Sequence, residues 1–419
     1  MKPKLTTLKN GLRIVTVPMA DNPTVTVLVM VATGTRYETH ATNGLSHFLE
    51  HMCFKGTQKR PAKQIVYELE AMGANTNAFT DYDYTGYYAK GRADLFPKLL
   101  DVVSDIYLHS TFPQAELEKE RGVICGEIDM MEDEPAQKVG YLLIESVFGD
   151  QPAGWPILGP KENIKSFTRE DFVKYHNTHY VAEKTAIVIV GNIDSKTVET
   201  EVKKVFANVK TSKRVAKKPI SKIVGPRILI GDKKTDQAHV MMGMRSVNLG
   251  HADYMPLRIM AAVLGQGMSS RLFIKLRDEM GAGYYVSSGL SATDDSGDFS
   301  IATGTQPKRV VEVVTAIAGE INRMRMELVP EHELAKTKEY MVGRIYMSNE
   351  PTDALAYTMG LQAMYNRPLR LPADVEKEIR KVTSADILRV AKKYLKLDKM
   401  HFAMMGPDLD KEAIVNILK

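Results

Sequence analysis

The second half of this chain repeats the first, and that repeat restricts the fold more than any other feature. Gly225-Pro226-Arg227-Ile228 stands 214 positions after Gly11-Leu12-Arg13-Ile14. Phe167-Thr168-Arg169-Glu170-Asp171 is echoed 215 positions later by Val382-Thr383-Ser384-Ala385-Asp386, and an apolar run closing at Gly191 is echoed by one closing at Gly406. A spacing kept near both ends of the two halves implies two similar domains. At 419 residues the chain also exceeds the size at which one hydrophobic core keeps growing. The expected division is a first domain over 1–212, a linker over 213–226 and a second domain over 227–419. Lys210, Lys213, Arg214, Lys217, Lys218 and Lys222 crowd this boundary together with Pro219 and Gly225-Pro226. A patch for an acidic partner is one reading; a solvated linker is favoured because no aromatic residue interleaves the charges.

Local periodicity gives an α+β class, with strands and helices in both halves. The stretches 11–17 and 24–32 are rich in Val and Thr and predict strands, ended by Pro18 and by the turn Thr33-Gly34. From Asn43 to Phe54 the period becomes helical, with Leu45, Phe48, Leu49 and Met52 at i, i+3, i+4 and i+7. That phase places His47, Glu50 and His51 together on the opposite arc. A second helix is expected over 62–72, then two adjacent strands over 73–81 and 82–89 with their turn at 80–83. After Pro113, Leu117, Ile124, Ile128 and Met131 form a helical apolar stripe, and Glu120 and Glu127 fall on the same side. Acids facing a core need a reason, since Glu is seldom buried unless paired or metal-bound.

The stretch His47-Phe48-Leu49-Glu50-His51 concentrates the chemistry. Two His at i and i+4 on a helix present both imidazoles at a spacing that one zinc ion bridges. A catalytic zinc takes three protein ligands and keeps a position for water, from which a neighbouring carboxylate can accept a proton. A hard-to-bury acid on the helix after Pro113 supplies the missing ligand. At an offset of 214, His47, Glu50 and His51 fall on Ala261, Leu264 and Gly265, so the second domain keeps the fold and lacks the ligands. Cys53, two residues past His51, points about 160° from that side chain and reads as a small buried hydrophobe.

Composition narrows the remaining classes. A net charge of +5 is too weak to make nucleic acid or an anionic membrane the main partner. Two cysteines are too few for a disulfide framework and suit a reducing compartment. No targeting segment is visible at Met1 to Leu8, and the longest apolar runs are strand-length, so a cytoplasmic location is expected.

The motif HFLEH, with a glutamate 76 positions beyond its second His, resembles the pitrilysin or insulysin-like metallopeptidases, the M16 family that includes the mitochondrial processing peptidases. The resemblance runs over essentially the whole chain. His47 to Thr57 looks like the family's zinc helix, Asn77-Ala78-Phe79-Thr80 like its substrate-pairing strand, and Glu120 to Ile128 like the helix of its distal ligand. Ser269-Ser270-Arg271-Leu272-Phe273 to Gly283-Tyr284 resembles its second-domain signature. The resemblance implies one zinc per chain on His47, His51 and Glu127, Glu50 as general base, and Glu120 as a supporting acid. It also implies that Asn77, Ala78 and Phe79 add an extended peptide by main-chain hydrogen bonds, and that Arg277 and Tyr284 contact the substrate carbonyl region. From the residues alone, that last pair is an exposed helix arginine and a strand tyrosine, with Arg271 and Tyr285 as competitors. The family's two-domain members further imply half of a clamshell, and for this chain a homodimer with composite active sites cleaving unfolded peptides. A non-catalytic subunit on the same fold, or a processing-peptidase-type subunit, is the alternative.

Overall fold

The computed structural model describes residues 2–211 and 215–418; Lys213 and Arg214, at the start of the expected linker, lie outside the described residues. Its strands are β1 (Lys4–Thr7), β2 (Arg13–Pro18), β3 (Thr24–Val31), β4 (Asn75–Thr80), β5 (Thr85–Arg92), β6 (Thr185–Gly191), β7 (Ile228–Gly231), β8 (Ala238–Ser246), β9 (Tyr285–Ala292), β10 (Gly297–Thr305) and β11 (His401–Met405). The helices used below are α1 (Leu45–Cys53), α2 (Ala62–Ala71), α3 (Phe96–Leu108), α4 (Gln114–Asp133), α5 (Pro135–Phe148), α6 (Arg169–His179), α7 (Tyr254–Gly265), α8 (Thr352–Met364) and α9 (Ser384–Tyr394).

The strands form two sheets, ordered β1-β2-β6-β3-β5-β4 and β7-β11-β8-β10-β9. Leaving β1 aside, the second order repeats the first strand for strand. The pairings repeat as well: β2 runs parallel to β6 as β7 does to β11, and every other corresponding neighbour is antiparallel. The sequence repeat is therefore a repeat of topology, and the fold is a mixed α+β duplication as expected.

The domain boundaries are less simple than a single cut at 213–226. Contacts divide the chain into one unit of Met1–Ile128, Pro156–Lys218 and Ile345–Ala373, and another of Asp129–Trp155, Pro219–Arg344 and Asp374–Lys419. The segment carrying α5 thus belongs with the second sheet and the segment carrying α8 with the first. The physical reason is that each sheet has two apolar faces to cover. In the first unit α1, α2, α3 and α6 share one core with Val25, Val27, Val29 and Val31 of β3. Leu28 and Met30, on the other face of that strand, pack with Leu355, Ala356 and Met359 of α8. In the second unit Val139, Leu143 and Val147 of α5 pack with Ala403 and Met405 of β11. The basic stretch also departs from a purely solvated linker: Lys217 Nζ lies 2.9 Å from Asp83 Oδ2, and Asp83 is buried.

The helical phase of α1 follows the sequence reading. Leu45, Phe48, Leu49 and Met52 are all buried in the first unit's core, and Cys53 joins them as a free thiol that burial pushes up to about 12. Phe48 meets Phe172 of α6 edge to face, with centroids 4.8 Å apart. Phe48→Ala is expected to lower unfolding free energy by about 3–5 kcal/mol; a loss below 1 kcal/mol in urea unfolding would show that α1 is not docked through this ring.

Candidate metal centre

α1 begins at Gly44, whose φ of 97° is left-handed; a Cβ there would come within 2.6 Å of the Leu158 carbonyl oxygen, so the position needs glycine. From this start the helix presents His47 and His51 side by side, with ring centroids 4.7 Å apart. Their Nε2 atoms lie 3.7 and 3.8 Å from Glu127 Oε2 on α4. Those separations are too long for hydrogen bonds. They suit a shared cation, because ligands bound tetrahedrally at about 2.0–2.2 Å stand roughly 3.4 Å apart. Among the described residues, these three offer ligand atoms within 4.8 Å of one another.

The surroundings prepare both imidazoles. His51 Nδ1 is 2.8 Å from Glu120 Oε1, and Lys55 Nζ is 2.6 Å from the other oxygen of Glu120. An Nδ1–H donated to Glu120 leaves the Nε2 lone pair facing Glu127, the arrangement that carboxylates commonly impose on metal-binding His. Burial alone would depress His51, but Glu120, Glu127 and Glu50 raise it overall. Burial would likewise raise Glu120, yet His51 and Lys55 hold it below the usual carboxylate range. Burial and the neighbouring His51 push His47 down to about 3, so it is neutral and ready to donate a lone pair. His47 Nδ1 is buried with no hydrogen-bond partner among the described residues.

The two acids of α4 differ from the expectation that both face a core. Glu120 is buried, whereas 31% of the Glu127 side-chain surface is exposed. Glu127 is partly exposed although its neighbour Ile128 is still buried in the core, so the ligand cluster stays open to solvent on one side.

Glu50 stands apart from the ligands. It is buried, and its Oε2 accepts a 2.6 Å hydrogen bond from Thr80 Oγ1 at the end of β4. Burial raises its pKa, against the opposing pull of Thr80 and His51. Sequence reasoning missed both Thr80 and Lys55. Lys55 lies four residues after His51, just past the end of α1, a spacing readable in the sequence; Thr80 comes from a strand 30 residues away and offers none.

Asn77, Ala78 and Phe79 lie on β4, the edge strand of the first sheet. The Ala78 N–H donates to the side-chain Oδ1 of Asn77 at 2.9 Å, which leaves that amide turned to the open edge. Phe79 packs on the α8 side, 5.2 Å from the ring of Tyr357. Arg277 and Tyr284 are placed in the second unit, together with each other. Arg277 sits on a π-helical turn, Ile274–Glu279, and its Nη1 donates to the Tyr284 carbonyl oxygen at 2.6 Å. Tyr284 is 47% exposed. The competitors are committed elsewhere: Arg271 makes a bidentate pair with Glu333, and the Tyr285 hydroxyl is 3.0 Å from His239 Nδ1. Ala261, Leu264 and Gly265 are buried in α7 and offer no ligand.

A duplicated α+β fold with, among the described residues, a His, His and Glu cluster in one copy only, beside an open sheet edge, is the architecture of a metallopeptidase class. The chain belongs to peptidase family M16. A family model described as Insulinase (Peptidase family M16) matches residues 13–161, and one described as Peptidase M16 inactive domain matches 166–341. An uncharacterized zinc protease of Bacillus subtilis, YmxG, is 36% identical over 83% of this chain and 85% of its own length. One from Rickettsia bellii is 32% identical over 96% of this chain and 97% of its own. A protease from Helicobacter pylori shares the fold with a TM-score of 0.90 at 23% identity, covering 97% of this chain and 99% of that one. The M16 inactive domain structure from Pseudomonas fluorescens also scores 0.90, at 18% identity, covering 98% of this chain and 99% of its own. Among the described residues no helix is long and apolar enough to cross a membrane.

The Thr80 bond stabilises the ionised form of Glu50. Thr80→Val is therefore expected to raise the Glu50 pKa further, read by carboxyl ¹³C NMR titration of the metal-free protein; an unchanged or lowered value would remove Thr80 from the site.

Proposed function

We propose that this protein is a zinc-dependent endopeptidase that hydrolyses unfolded peptides in an enclosed chamber, with one zinc per chain on His47, His51 and Glu127. The observation that carries the reading is the convergence of two imidazole Nε2 atoms on Glu127, with Glu50 held separately by Thr80. Zinc bound there supplies a Lewis acid for the peptide carbonyl and lowers the pKa of water. Glu50 accepts a proton from the attacking water on the oxygen not held by Thr80, and delivers it to the departing amine. Its raised pKa suits both transfers. Glu120, tied to Lys55, keeps His51 in the tautomer that binds metal.

The edge of β4 takes the substrate as an added antiparallel strand, with the Ala78 amide released from Asn77 to a substrate carbonyl. Such pairing reads backbone more than side chains, which supports tolerant cleavage of extended peptides. Arg277 and Tyr284, joined to each other in the ligand-free unit, act on the substrate carbonyl region from a second subunit in a homodimer with composite sites. Two free cysteines, Cys53 and Cys125, suit a cytoplasmic setting. Nucleic acid and membrane have no part in this reading. The alternative, a non-catalytic or processing-peptidase-type subunit, is disfavoured because the inactive-domain match over 166–341 lies wholly beyond His47, Glu50, His51 and Glu127.

Metal analysis combined with peptide cleavage tests the proposal. Glu50→Gln is expected to retain zinc while cleavage falls by about 10²–10⁴-fold, and His51→Ala to lose both; a wild-type protein free of zinc and indifferent to chelators sinks it. Composite sites are tested by mixing Glu50→Gln subunits with Tyr284→Phe subunits. Activity recovered in the mixture is the expected result, and none in verified mixed dimers refutes sharing.

A further inference from the structure

We infer that Glu38 is a positioning residue for the metal centre, a buried carboxylate that fixes the rotation of α1 and so aims His47 and His51. The inference rests on the zinc reading above. Glu38 is fully buried. Its Oε2 accepts from Asn43 Nδ2 and from the Gly44 N–H, each at 3.0 Å, and its Oε1 accepts from the Ser46 N–H at 2.7 Å. Among the described residues no basic side chain pairs with it, so these three donors, the Ser46 hydroxyl and the positive end of the α1 backbone are what the buried carboxylate faces.

A helix start needs nothing so elaborate, because a Ser, Thr or Asp at the N-cap satisfies it with a solvated side chain. Here the N-cap is Gly44, which has no side chain, and the acceptor comes from six residues upstream at the expense of desolvating a carboxylate. What that arrangement adds is direction. All three donors lie in Asn43–Ser46, the last of them adjacent to His47. The Ser46 hydroxyl is bonded in turn to the Tyr175 hydroxyl at 2.7 Å, and Tyr175 to Thr33 at 2.9 Å, so the first turn of α1 is held from two sides. A rotation of α1 by about 20° would carry an imidazole nitrogen roughly 2 Å around the helix axis. Metal–ligand distances tolerate only about 0.2 Å.

The ligand-free copy makes a different use of the acid that leads into its helix. Asp253, the residue before α7, gives its oxygens to Arg389, Lys393 and Tyr394 of α9. Those bonds clamp one helix to another and leave the amides of α7 untouched. A buried acid that grips the amides leading into its own helix occurs where that helix carries metal ligands.

The test compares wild type, Glu38→Gln and Asp253→Asn. Gln keeps the shape and one acceptor but turns an N–H toward a backbone N–H. Three quantities are read: zinc affinity by competition with a chromophoric chelator, the visible absorption of the Co²⁺-loaded protein, and melting temperature. Glu38→Gln is expected to fold, to bind zinc about 10–100-fold more weakly and to shift the Co²⁺ bands. Asp253→Asn is expected to melt lower with zinc affinity and bands unchanged. Wild-type affinity and spectrum in folded Glu38→Gln overturn the inference, as does an equal loss of affinity in Asp253→Asn. Should Glu38→Gln fail to fold, Glu38→Asp, which withdraws the charge by one methylene, is judged by the same two results. Wild type that binds no zinc defeats the metal reading itself, and this inference with it, a result separate from any difference between variants.

Discussion

The burial of one face of α1 is the interaction on which the site depends. Leu45, Phe48, Leu49 and Met52 are at most 2% exposed. At about 1.5–3 kcal/mol for each fully buried side chain, the stripe contributes on the order of 6–12 kcal/mol before entropy. Half-burying the polar residues of the opposite arc opposes this by a few kcal/mol. The apolar face therefore decides the phase, and His47, Glu50 and His51 take the positions that remain. Their poor solvation is what holds His47 neutral and lifts the Glu50 pKa. Packing on one face of a nine-residue helix thus sets the chemistry of the other.

The charges around that arc do not balance without a guest. Glu50, Glu120 and Glu127 approach two imidazoles, one of them neutral, and Lys55 is the cation that pairs with Glu120. The three carboxylates raise the His51 pKa against its burial, while burial is the main cause of the raised Glu50 pKa. A divalent cation would offset the excess of carboxylates, and the roles then separate. Glu127 and the two Nε2 atoms face the cation, Glu120 is held back by Lys55, and Glu50 is held back by Thr80. Three carboxylates of one residue type acquire three functions from the partner each one meets.

How much of this could be read in advance follows from the range of each interaction along the chain. The i, i+4 spacing of His47 and His51 and the stripe of α1 are local, and the structure keeps both. The repeat at 214–215 is long-range but survives in sequence, and it corresponds to two sheets of matching strand order. The exchange of α5 and α8 between units leaves no such trace, because an amphipathic helix shows which face is apolar and not which sheet covers it. Glu120 and Glu127 share a helix face with Ile124 and Ile128, both buried in one core, so the helical pattern does not show that Glu120 is buried and Glu127 partly exposed. Thr80 and Glu38 are polar residues outside any periodic pattern. Their importance lies in which atoms fold against them.

The packing of the second copy shows why imidazole and carboxylate ligands do not fit at its matching positions. Gly265, aligned with His51, is pressed against β9, where an added Cβ would come within 2.7 Å of the Ser288 amide nitrogen. In the first unit the equivalent space between α1 and β4 contains the Glu50 carboxylate and its bond to Thr80. A helix packed directly on its edge strand has no room for an imidazole, and Ala261 and Leu264 complete an apolar contact that a ligand would disrupt. Restoring ligands would require moving α7 away from the sheet, against the burial that now holds it. This unit holds Arg277 on a π-helical turn bonded to the Tyr284 backbone. Such turns insert a residue into a helix and re-aim side chains. The duplication has therefore diverged through packing as well as through substitution, with one copy spaced for a cation and the other closed around its own core.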